Sequence, residues 1–563
     1  MYFNNTNSTK EQTDWNNVNW RKANRIVKNL RQRIFRATAM GEWKKVRSLQ
    51  KLMLRSYSNC LLAVRKVTQH NQGKKTPGVD KVVVKTPTAR GKLVDKITKS
   101  TPGKVLPVRR IYIRKANGKK RPLGIPVIQE RCLQAIVKNA LEPEWEAKFE
   151  GSSYGFRPGR STHDAIQRIY CLSKGNSSKK WIVDADIQGC FDNINQEFLL
   201  QQISRFPAKE LIKQWLKAGF IEISKREEVW NPTEAGTPQG GIISPLLANI
   251  ALHGMEKALN IKYTKNNSIS DRSKRAMVRY ADDFVVFCKT QEDAEQVIKD
   301  LQEWMQVRGL SLSSEKTRIV HISEGFDFLG FHIKQYPRTT TKSGLKPLIK
   351  PSKKSVQKLK GKVREIWLAC KGKPIKVILE KLNPIITGWA NYFRAQVSKE
   401  TFKDLDYWMY IREQRWVKYS HPRKPDKWRE AKYWGRLNLD RHDNWVFGDK
   451  QTGRYLLKFS WFPIQRHTLV ELYASPDDPK LREYWLKRNK TKVKDQSPGR
   501  QKIAGRQGYT CPVCGESLFN GEELHLHHKT PKRQGGKDTY ENLQFVHLYC
   551  HQQIHSQSGK ADS

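Results

Sequence analysis

Two adjacent aspartates, Asp282 and Asp283, stand between two short apolar runs at residues 276–280 and 284–288. Two such runs separated by a few polar residues predict a β-hairpin, with both carboxylates at its turn. Side chains along a strand alternate between faces, so only a tight turn lets neighbouring acids reach one site. Two such carboxylates could hold divalent metal ions for phosphoryl transfer. A solvated acidic turn is the alternative.

A second segment can supply a partner carboxylate. Residues 181–187 form an apolar run that is interrupted by Asp184 and Asp186, and strand alternation places these two acids on one face. Phe191 stands five residues after Asp186, and the polar residues that follow it predict the end of the strand and the start of a helix. The sequence therefore predicts two strands whose ends carry acids.

The order of these acids resembles that of the reverse transcriptases. The resemblance implies that Asp186, Asp282 and Asp283 hold Mg²⁺ ions, which activate the primer hydroxyl and stabilise the leaving pyrophosphate. That family also places an aromatic ring five residues after the first aspartate, where it blocks a ribose 2′-hydroxyl. Phe191 therefore implies deoxynucleotide (dNTP) substrates, and packing of this ring in the core is the alternative.

More of the pattern of that family follows in order, from about Trp15 to Tyr419. Residues 108–126 alternate apolar and basic side chains and predict another hairpin. By resemblance its Lys115 and Arg121 bind the triphosphate, and Gln239, in a glycine-rich segment, touches the incoming nucleotide. The other matching segments are a template-contacting turn and two closing palm segments, at residues 154–159, 310–316 and 328–331, and the resemblance implies a hairpin at the last of these.

The charge of the chain predicts a polyanionic partner. Its 563 residues include 105 Lys and Arg against 54 Asp and Glu, a formal charge of +51 that is spread along the sequence. A hydrophobic content of 37% allows several folded domains. No apolar run approaches the roughly 20 residues that span a bilayer, so we expect no membrane partner. Six scattered cysteines are typical of a reducing compartment, which predicts a cytoplasmic or organellar location.

The segments on either side of the polymerase pattern narrow the family. Residues 20–67 predict two amphipathic helices split near Gly41, which resemble an added fingers extension. Residues 352–419 are helical in pattern, with a break at 372–374, and resemble the thumb, or maturase domain, of group II intron-encoded proteins. Basic and aromatic residues alternate over 411–433, which suits RNA, although core packing is the alternative for each ring.

The last part of the chain resembles the HNH endonucleases in the order and spacing of its histidines and cysteines. Thiolates favour a closed structural Zn²⁺ site, with His547 as the expected fourth ligand because it stands three residues before a cysteine. By resemblance His528 is the general base that takes a proton from water, and Asn542 steadies its loop. The expected zinc ligands are Cys511, Cys514, His547 and Cys550, and those of the catalytic ion, which we expect to be Mg²⁺, are His527, His551 and His555. A purely structural zinc finger that binds DNA is the alternative.

We therefore expect a multidomain α/β (α+β) chain that combines a right-hand polymerase with an antiparallel palm sheet, a helical thumb, a DNA-binding region and a small ββα-metal nuclease. Residues 491–508 have the composition of a linker. The predicted domains are an N-terminal fingers extension, fingers and palm, thumb, DNA-binding region with linker, and HNH nuclease, at residues 1–85, 86–340, 341–420, 421–498 and 499–563.

The resemblance implies an RNA-directed DNA polymerase and splicing maturase. Such a protein binds group II intron RNA and copies it into DNA from a primer in the target double-stranded DNA, while the HNH domain cuts the second strand. One alternative is a splicing factor that binds RNA without copying it, which the complete set of acids and histidines disfavours. The other is a defence-associated reverse transcriptase, which the HNH tail disfavours. Intron sequences around the gene would distinguish these alternatives.

Overall fold

The computed structural model describes residues 12–99, 103–114, 118, 120–175, 177–223, 227–264, 269–270, 273–341 and 343–561. Within these ranges, no helix is both long enough and apolar enough to cross a lipid bilayer.

The N-terminal extension contains three successive helices where two were predicted. The predicted break at Gly41 is confirmed, and this residue has a φ of +71°. A second break falls at Ser56, whose side chain caps the third helix by accepting a hydrogen bond from the Asn59 backbone N–H. These helices pack on a long helix that leads into the palm. The helices are α1 Trp20–Ala39, α2 Trp43–Arg55, α3 Tyr57–Arg65, α4 Pro87–Lys99 and α5 Ile128–Glu146.

The fingers contain a four-stranded sheet. Its strands are β1 Val108–Arg114, β2 Lys120–Ile125, β4 Phe220–Ile223 and β5 Glu228–Asn231, in the order β2-β1-β4-β5. The predicted hairpin is confirmed, because β1 and β2 pair antiparallel with Ile113 opposite Arg121. Strand β4, which comes later in the chain, joins β1 in parallel and so ties the fingers to the palm helices that precede it.

The palm is an antiparallel sheet that carries the predicted acids. Its strands are β3 Trp181–Asp186, β6 Ala276–Tyr280, β7 Asp283–Cys288 and β8 Arg318–His321, in the order β6-β7-β3-β8. Both strand predictions are confirmed. Val183 and Val286 belong to a core shared with the N-terminal and palm helices, whereas Ile182 and Val285 face a second core shared with the thumb. The palm sheet therefore lies between two hydrophobic cores, with one core against each of its faces.

Seven helices connect and cover the palm strands among the described residues. Helix α12 packs on β3 and β7, and α6 packs on β6. The helices are α6 Thr162–Leu172, α7 Cys190–Asn193, α8 Gln196–Gln202, α9 Lys209–Lys217, α10 Ser244–Ala251, α11 Met255–Ala258 and α12 Gln291–Gln306.

A small sheet leads from the palm into the helical thumb. The predicted hairpin at 328–331 is confirmed, because Phe328 and Phe331 are paired residues of β9 and β10. The predicted helix break at 372–374 is confirmed too, and a further break at 394–398 separates α14 from α15. The elements are β9 Phe326–Phe328, β10 Phe331–Pro337, β11 Leu345–Pro351, α13 Lys353–Ala369, α14 Ile375–Phe393, α15 Lys399–Ser420 and α16 Asp426–Tyr433.

Two of the aromatic rings in the basic thumb segment belong to the core. Trp416 and Tyr433 are buried against Phe447. Tyr419 is instead exposed. Core packing, the alternative to RNA binding, therefore explains Trp416 and Tyr433. The ring of Tyr419 is accessible to a ligand.

The linker prediction for residues 491–508 is wrong. Helix α18 occupies half of this segment, and its Ile503 and Ala504 are buried in the core that the nuclease shares with the N-terminal helices. Val493 of the same segment is buried in that core too, so three apolar residues of this basic segment pack against the rest of the protein. The C-terminal elements are β12 Trp434–Gly435, β13 Val446–Asp449, β14 Arg454–Tyr455, α17 Arg482–Thr491, α18 Pro498–Arg506, β15 Leu524–His528, β16 Leu543–His547 and α19 Leu548–Ala561.

Candidate active sites

The predicted polymerase acids meet at one end of the palm sheet. Asp186 of β3 lies directly opposite Asp283 of β7, and alternation places both side chains on the same face. Tyr280 pairs with Asp283, so Ala281 and Asp282 form a two-residue turn, in which Ala281 adopts a φ of +60°. The register and the tight turn together bring all three predicted carboxylates to one edge.

Burial, together with mutual repulsion, raises the pKa values of two of these acids. Desolvation raises the pKa of Asp283 most, and its hydrogen bond with Asp186 and the charge of Asp282 add to that effect. Burial, followed by the charge of Asp186, raises the pKa of Asp282. A set of oxygen ligands with excess negative charge fits Mg²⁺, which prefers carboxylates. These residues therefore fit a Mg²⁺ site.

Lys316 is a charged neighbour to which the sequence assigned no role. Its Nζ lies 2.5 Å from Asp186 Oδ2. The segment that carries it is fixed to β3, because Ser313 N donates to the Asp186 carbonyl and Gln188 N donates to the Ser311 carbonyl. The ammonium offsets part of the acidic charge. Since 130 residues separate the two partners, no local pattern could have predicted the pair.

Phe191 borders a cavity of about 370 Å³ between fingers and palm. Its carbonyl accepts a hydrogen bond of 2.6 Å from Thr237 N. A Cβ on Gly236, whose φ is +80°, would come within 2.5 Å of the Phe191 carbonyl oxygen, so only glycine allows this approach. The ring is partly buried and meets Phe156 edge to face, with centroids 6.1 Å apart. The glycine-rich segment thus holds the backbone of the predicted sugar gate.

A chain of hydrogen bonds links the fingers to the palm beside this cavity. Arg121 Nε donates to Gln239 Oε1 at 2.7 Å, and Gln239 Nε2 donates to Asp192 Oδ2 at 2.9 Å. The structure thus brings together two of the predicted nucleotide-binding residues, Arg121 and Gln239, and adds Asp192, for which no role was predicted. Lys115, the other predicted triphosphate ligand, lies outside the described residues.

Two side chains of the segment at 154–159 are buried and are not free to contact a template. Tyr154 is buried, and the Arg157 guanidinium forms a buried ion pair with Glu146 at 3.0 Å. Phe156, in contrast, is 45% exposed and has a φ of +61°. Of these three side chains only Phe156 is exposed, and Gly159 in the same segment is exposed as well, so the predicted template contact can involve these two residues.

The four predicted zinc ligands converge in the C-terminal domain. The ligand atoms of Cys511, Cys514, His547 and Cys550 all lie within 4.8 Å of one another, and all four residues are buried. The His547 Nε2 atom lies 3.2 Å from the Ser517 carbonyl, a contact that turns Nδ1 toward the thiols. Three thiols and one imidazole match a tetrahedral structural Zn²⁺ site.

The three predicted ligands of the catalytic ion form a separate cluster. The ring nitrogens of His527, His551 and His555 lie within 4.8 Å of one another. Burial, followed by the charges of His555 and His527, lowers the pKa of His551 to about 4. Neutral imidazole is the ligand form of histidine, so the lowered pKa of His551 favours metal binding at neutral pH.

His528 and Asn542 lie beside this cluster in different roles. The His528 Nε2 atom is 2.6 Å from Asp538 Oδ1, and a proton on Nε2 leaves the lone pair on Nδ1. Asn542 joins the two ends of the intervening loop, because its Oδ1 accepts from Thr530 N at 2.7 Å and its Nδ2 donates to the Lys537 carbonyl at 2.9 Å. Asp538 was missed in the sequence, where an acid ten residues after a histidine carries no signal.

The nuclease domain packs directly on the N-terminal extension. Arg65 of α3 donates to Cys550 Sγ at 3.1 Å, so a residue of the extension contacts a predicted zinc ligand. The Tyr549 hydroxyl donates to the Gln69 carbonyl at 2.6 Å. Partners 485 and 480 residues apart in the chain thus form one interface. Sequence periodicity describes each helix separately and could not have predicted this packing.

Loss of polar contacts in this interface should loosen the nuclease. Gln553 Nε2 donates to the carbonyls of Asn16 and Val18 at 2.9 and 3.0 Å. Replacing both Tyr549 and Gln553 with alanine is expected to cost about 2–4 kcal/mol of docking energy, since each hydrogen bond contributes about 0.5–1.5 kcal/mol and a large ring is lost. Limited trypsin digestion should release the nuclease at least about tenfold faster.

Gln552 provides the control for that double variant, because it is an exposed neighbour on the same helix. Its replacement with alanine should leave the digestion rate unchanged. Equal digestion rates for the double variant and the wild type would contradict a stabilising role of these contacts.

Comparisons with known proteins cover most of the chain in the same order. The matching family models are the N-terminal domain of reverse transcriptase, residues 15–97; reverse transcriptase (RNA-dependent DNA polymerase), residues 113–333; the group II intron maturase-specific domain, residues 356–434; and HNH endonuclease, residues 511–557.

Curated relatives and solved structures are similar over parts of the chain. Protein YkfC of Escherichia coli K12 is 33% identical over 312 residues, which are 48% of this chain and 80% of that protein. The group II intron-encoded protein LtrA of Lactococcus lactis is 34% identical over 287 residues, which are 40% of this chain and 47% of LtrA, so the match spans about half of that relative. A telomerase structure from Candida tropicalis overlaps 42% of this chain and 54% of its own, with 16% identity and a TM-score of 0.31.

Proposed function

Because the chain belongs to the group II intron-encoded proteins, with reverse transcriptase, maturase-specific and HNH endonuclease domains, we propose that it copies group II intron RNA into DNA by target-primed reverse transcription. It also helps the intron RNA to fold for splicing, and its nuclease nicks the second DNA strand. The observation that supports this best is the presence in one chain of a palm carboxylate site and a separate histidine cluster.

In the polymerase site, Asp186, Asp282 and Asp283 would hold Mg²⁺, and bound Mg²⁺ would favour ionisation of the primer hydroxyl and stabilise the leaving pyrophosphate. Arg121 and Lys115 would bind the triphosphate of the dNTP, since guanidinium and ammonium groups pair with phosphate oxygens. Gln239 is held toward the cavity by Arg121 and Asp192, which supports a contact with the incoming nucleotide.

Phe191 would exclude ribonucleotides by occupying the space of the 2′-hydroxyl. Replacing it with valine should lower the preference for dNTP over rNTP by about a hundredfold, which is the size of a steric discrimination of roughly 3 kcal/mol. Single-nucleotide incorporation kinetics would measure this ratio. Phe198→Val makes the same change in the next helix, where the ring packs under Arg308, and should leave the ratio unchanged. A ratio unaffected by Phe191→Val would refute the gate.

In the nuclease, Cys511, Cys514, His547 and Cys550 would bind structural Zn²⁺, and His527, His551 and His555 would bind the catalytic ion, for which Mg²⁺ is the proposed metal. A catalytic ion would stabilise the charge that develops on the scissile phosphate. His528 would accept a proton from the attacking water at Nδ1, while Asp538 orients the ring and Asn542 keeps the loop in place.

The partners follow from the same assignment. The formal charge of +51 supports binding to the phosphates of intron RNA and of target double-stranded DNA. The thumb and the N-terminal extension are the surfaces we assign to intron RNA, and the region after the thumb is assigned to DNA. The RNA itself carries out the splicing reaction, and the protein stabilises its active fold.

The proposal is tested by assembling the full chain with intron RNA flanked by exons and adding target DNA. We expect protein-dependent splicing at low Mg²⁺, insertion of the RNA into one DNA strand, a nick in the other strand, and cDNA that begins at that nick. Protein-dependent splicing without cDNA or a nick would leave only a splicing factor. cDNA made from any annealed template, with no dependence on intron RNA, would favour the defence-associated alternative.

A further inference from the structure

Arg279 is a buried charged residue of β6, next to the turn that carries Asp282 and Asp283. Its side chain is 0% exposed. Its backbone N–H donates to the Ser152 carbonyl at 3.0 Å, and its own carbonyl accepts from Tyr154 N at 2.9 Å. Since β6 is an edge strand of the palm sheet, this pairing covers the edge beside the turn.

The positive charge of Arg279 is only partly compensated. Its Nη2 lies 3.7 Å from Glu150 Oε2, too far for a hydrogen bond. Its Nε and Nη2 form no hydrogen bond within the part of the chain that the structure describes. A hydrophobic side chain of similar volume would avoid the cost of burying the charge, and a buried ion pair is weak evidence for stability. Stability of the fold alone therefore does not explain an arginine at this position.

The hydrogen bonds that the Arg279 side chain does form lead to the turn. Its Nη1 donates to the Ala281 carbonyl at 3.3 Å and to Asn249 Oδ1 of α10 at 3.2 Å. Asn249 Nδ2 in turn donates to the Gly155 carbonyl at 2.8 Å. Gly155 lies against the turn itself, because a Cβ at this position would be 2.3 Å from Ala281 N. One polar network thus joins the turn, α10 and the segment before α6.

The Ala281 carbonyl is the point at which this network reaches a predicted metal ligand. A peptide unit is planar, so a hydrogen bond to the Ala281 carbonyl also fixes the N–H and Cα of Asp282. Ala281 has a φ of +60°, a conformation that costs energy for a residue other than glycine and persists where surrounding contacts impose it. The Arg279 guanidinium supplies such a contact.

We propose that Arg279 is a positioning residue, whose guanidinium holds the Ala281–Asp282 peptide so that the Asp282 carboxylate stays beside Asp186 and Asp283. This inference deepens the proposed function, on which its link to metal binding rests. Mg²⁺ demands near-ideal ligand geometry, so a turn that moves should bind it more weakly. Arg279 itself is too deeply buried to contact a substrate.

The main variant combines Arg279→Met with Glu150→Gln, which removes both charges together and leaves no unpaired charge in the core. Glu150 Oε1 accepts from the backbone N–H groups of Gly254 and Glu256, at 2.9 and 2.8 Å, and an amide oxygen can accept the same bonds. The second variant, Arg279→Lys, keeps the positive charge near Glu150. One ammonium nitrogen cannot occupy the positions of both Nη1 and Nη2, so its effect should be smaller than that of the double variant.

The first measurement is hydrogen exchange of the full chain, followed by mass spectrometry, without nucleic acid, nucleotide or Mg²⁺. Peptides that cover residues 280–283 should exchange about tenfold faster in the double variant, which corresponds to about 1.4 kcal/mol of local opening free energy. Arg279→Lys should exchange about threefold faster than the wild type, because it loses part of the same contact.

The second measurement is the Mg²⁺ concentration that gives half-maximal primer extension on an RNA template. We expect this concentration to rise about tenfold in the double variant and about threefold in Arg279→Lys, in parallel with the exchange rates. A purely structural role would lower the amount of active protein without changing the Mg²⁺ requirement.

Arg275→Met is the matched control, because it removes another buried arginine at the opposite end of the same strand. Arg275 pairs with Asp293 and Asp300 of α12, at 2.9 and 2.6 Å. Its replacement should lower the thermal unfolding temperature, since two ion pairs are lost. The exchange of residues 280–283 and the Mg²⁺ requirement should stay at their wild-type values.

Wild-type exchange of the turn in the double variant, or faster exchange that Arg275→Met reproduces, would overturn the proposal. Faster exchange with an unchanged Mg²⁺ requirement would overturn it too, because the contact would then stabilise the turn without positioning Asp282. If the double variant does not fold, wild-type values for Arg279→Lys in both measurements would decide against the proposal. A wild type that extends no primer would refute the proposed function, whereas the exchange measurement still tests the hold of Arg279 on the turn.

Discussion

Replacing Asp282 with asparagine is expected to lower RNA-templated primer extension at least about a thousandfold, which corresponds to roughly 4 kcal/mol of transition-state stabilisation. Asparagine has nearly the same size, so the turn between β6 and β7 should be retained. The change removes one negative charge and one strong oxygen ligand from a site at which Asp186 and Asp283 face each other. Steady-state extension of a DNA primer on an RNA template, with dNTPs and Mg²⁺, measures the loss.

Asp184→Asn is the matched control for Asp282→Asn. Asp184 lies on the same face of β3 as Asp186, but it pairs with Arg318 at 2.9 Å, away from the turn. Because that arginine is half exposed, the ion pair contributes little, and extension should stay within about twofold of wild type. Activity of Asp282→Asn within about tenfold of wild type, or equal losses in both variants, would contradict the assignment of Asp282 as a metal ligand.

Replacing Cys550 with serine is expected to remove the bound zinc and abolish second-strand nicking, while primer extension on a preannealed template persists. Apparent binding free energies of structural Zn²⁺ are about 10–16 kcal/mol, so a small domain that loses a ligand loses much of its folding energy. The buried position of Cys550 beside the other three ligands explains why the effect should be large. Zinc content by mass spectrometry and nicking of labelled duplex DNA are the two measurements.

His555→Ala separates the two clusters of the nuclease. It removes a ligand of the histidine cluster but none of the four zinc ligands, so zinc content should be retained while nicking falls at least about a hundredfold. If Cys550→Ser kept its zinc, or if His555→Ala lost it, the division into a structural and a catalytic site would be wrong.

The features of the polymerase and nuclease sites that depend on local sequence could be predicted from the sequence alone. A turn between two apolar runs fixes the position of Asp282, and the period of a strand puts Asp184 and Asp186 on one face. The division of the ligands into two metal clusters was predictable from their chemistry, because thiols and imidazoles prefer different metal ions. The residue roles themselves, and the domain bounds, stay predictions that the proposed variants test.

The remaining features depend on contacts between distant segments. Lys316 reaches Asp186 only because the strands pair, and Asp192 meets Gln239 only because the glycine-rich segment packs against α7. The helix at 498–506 was not predicted, because its basic composition resembles that of a linker. Its Ile503 is buried, and this tertiary contact stabilises the segment. Local propensity is a weak guide where tertiary contacts stabilise a segment.

The interface between α3 and the nuclease has a consequence for synthesis of the protein. Cys550, the partner of Arg65, is synthesised 485 residues after it. At about 5–20 residues per second this interval lasts roughly 25–100 s. During that time the outer face of the N-terminal helices is without its final neighbour and open to the RNA that we propose as its partner. Chains bound to RNA before termination would therefore meet the nuclease last, and the order of translation would set the order of assembly.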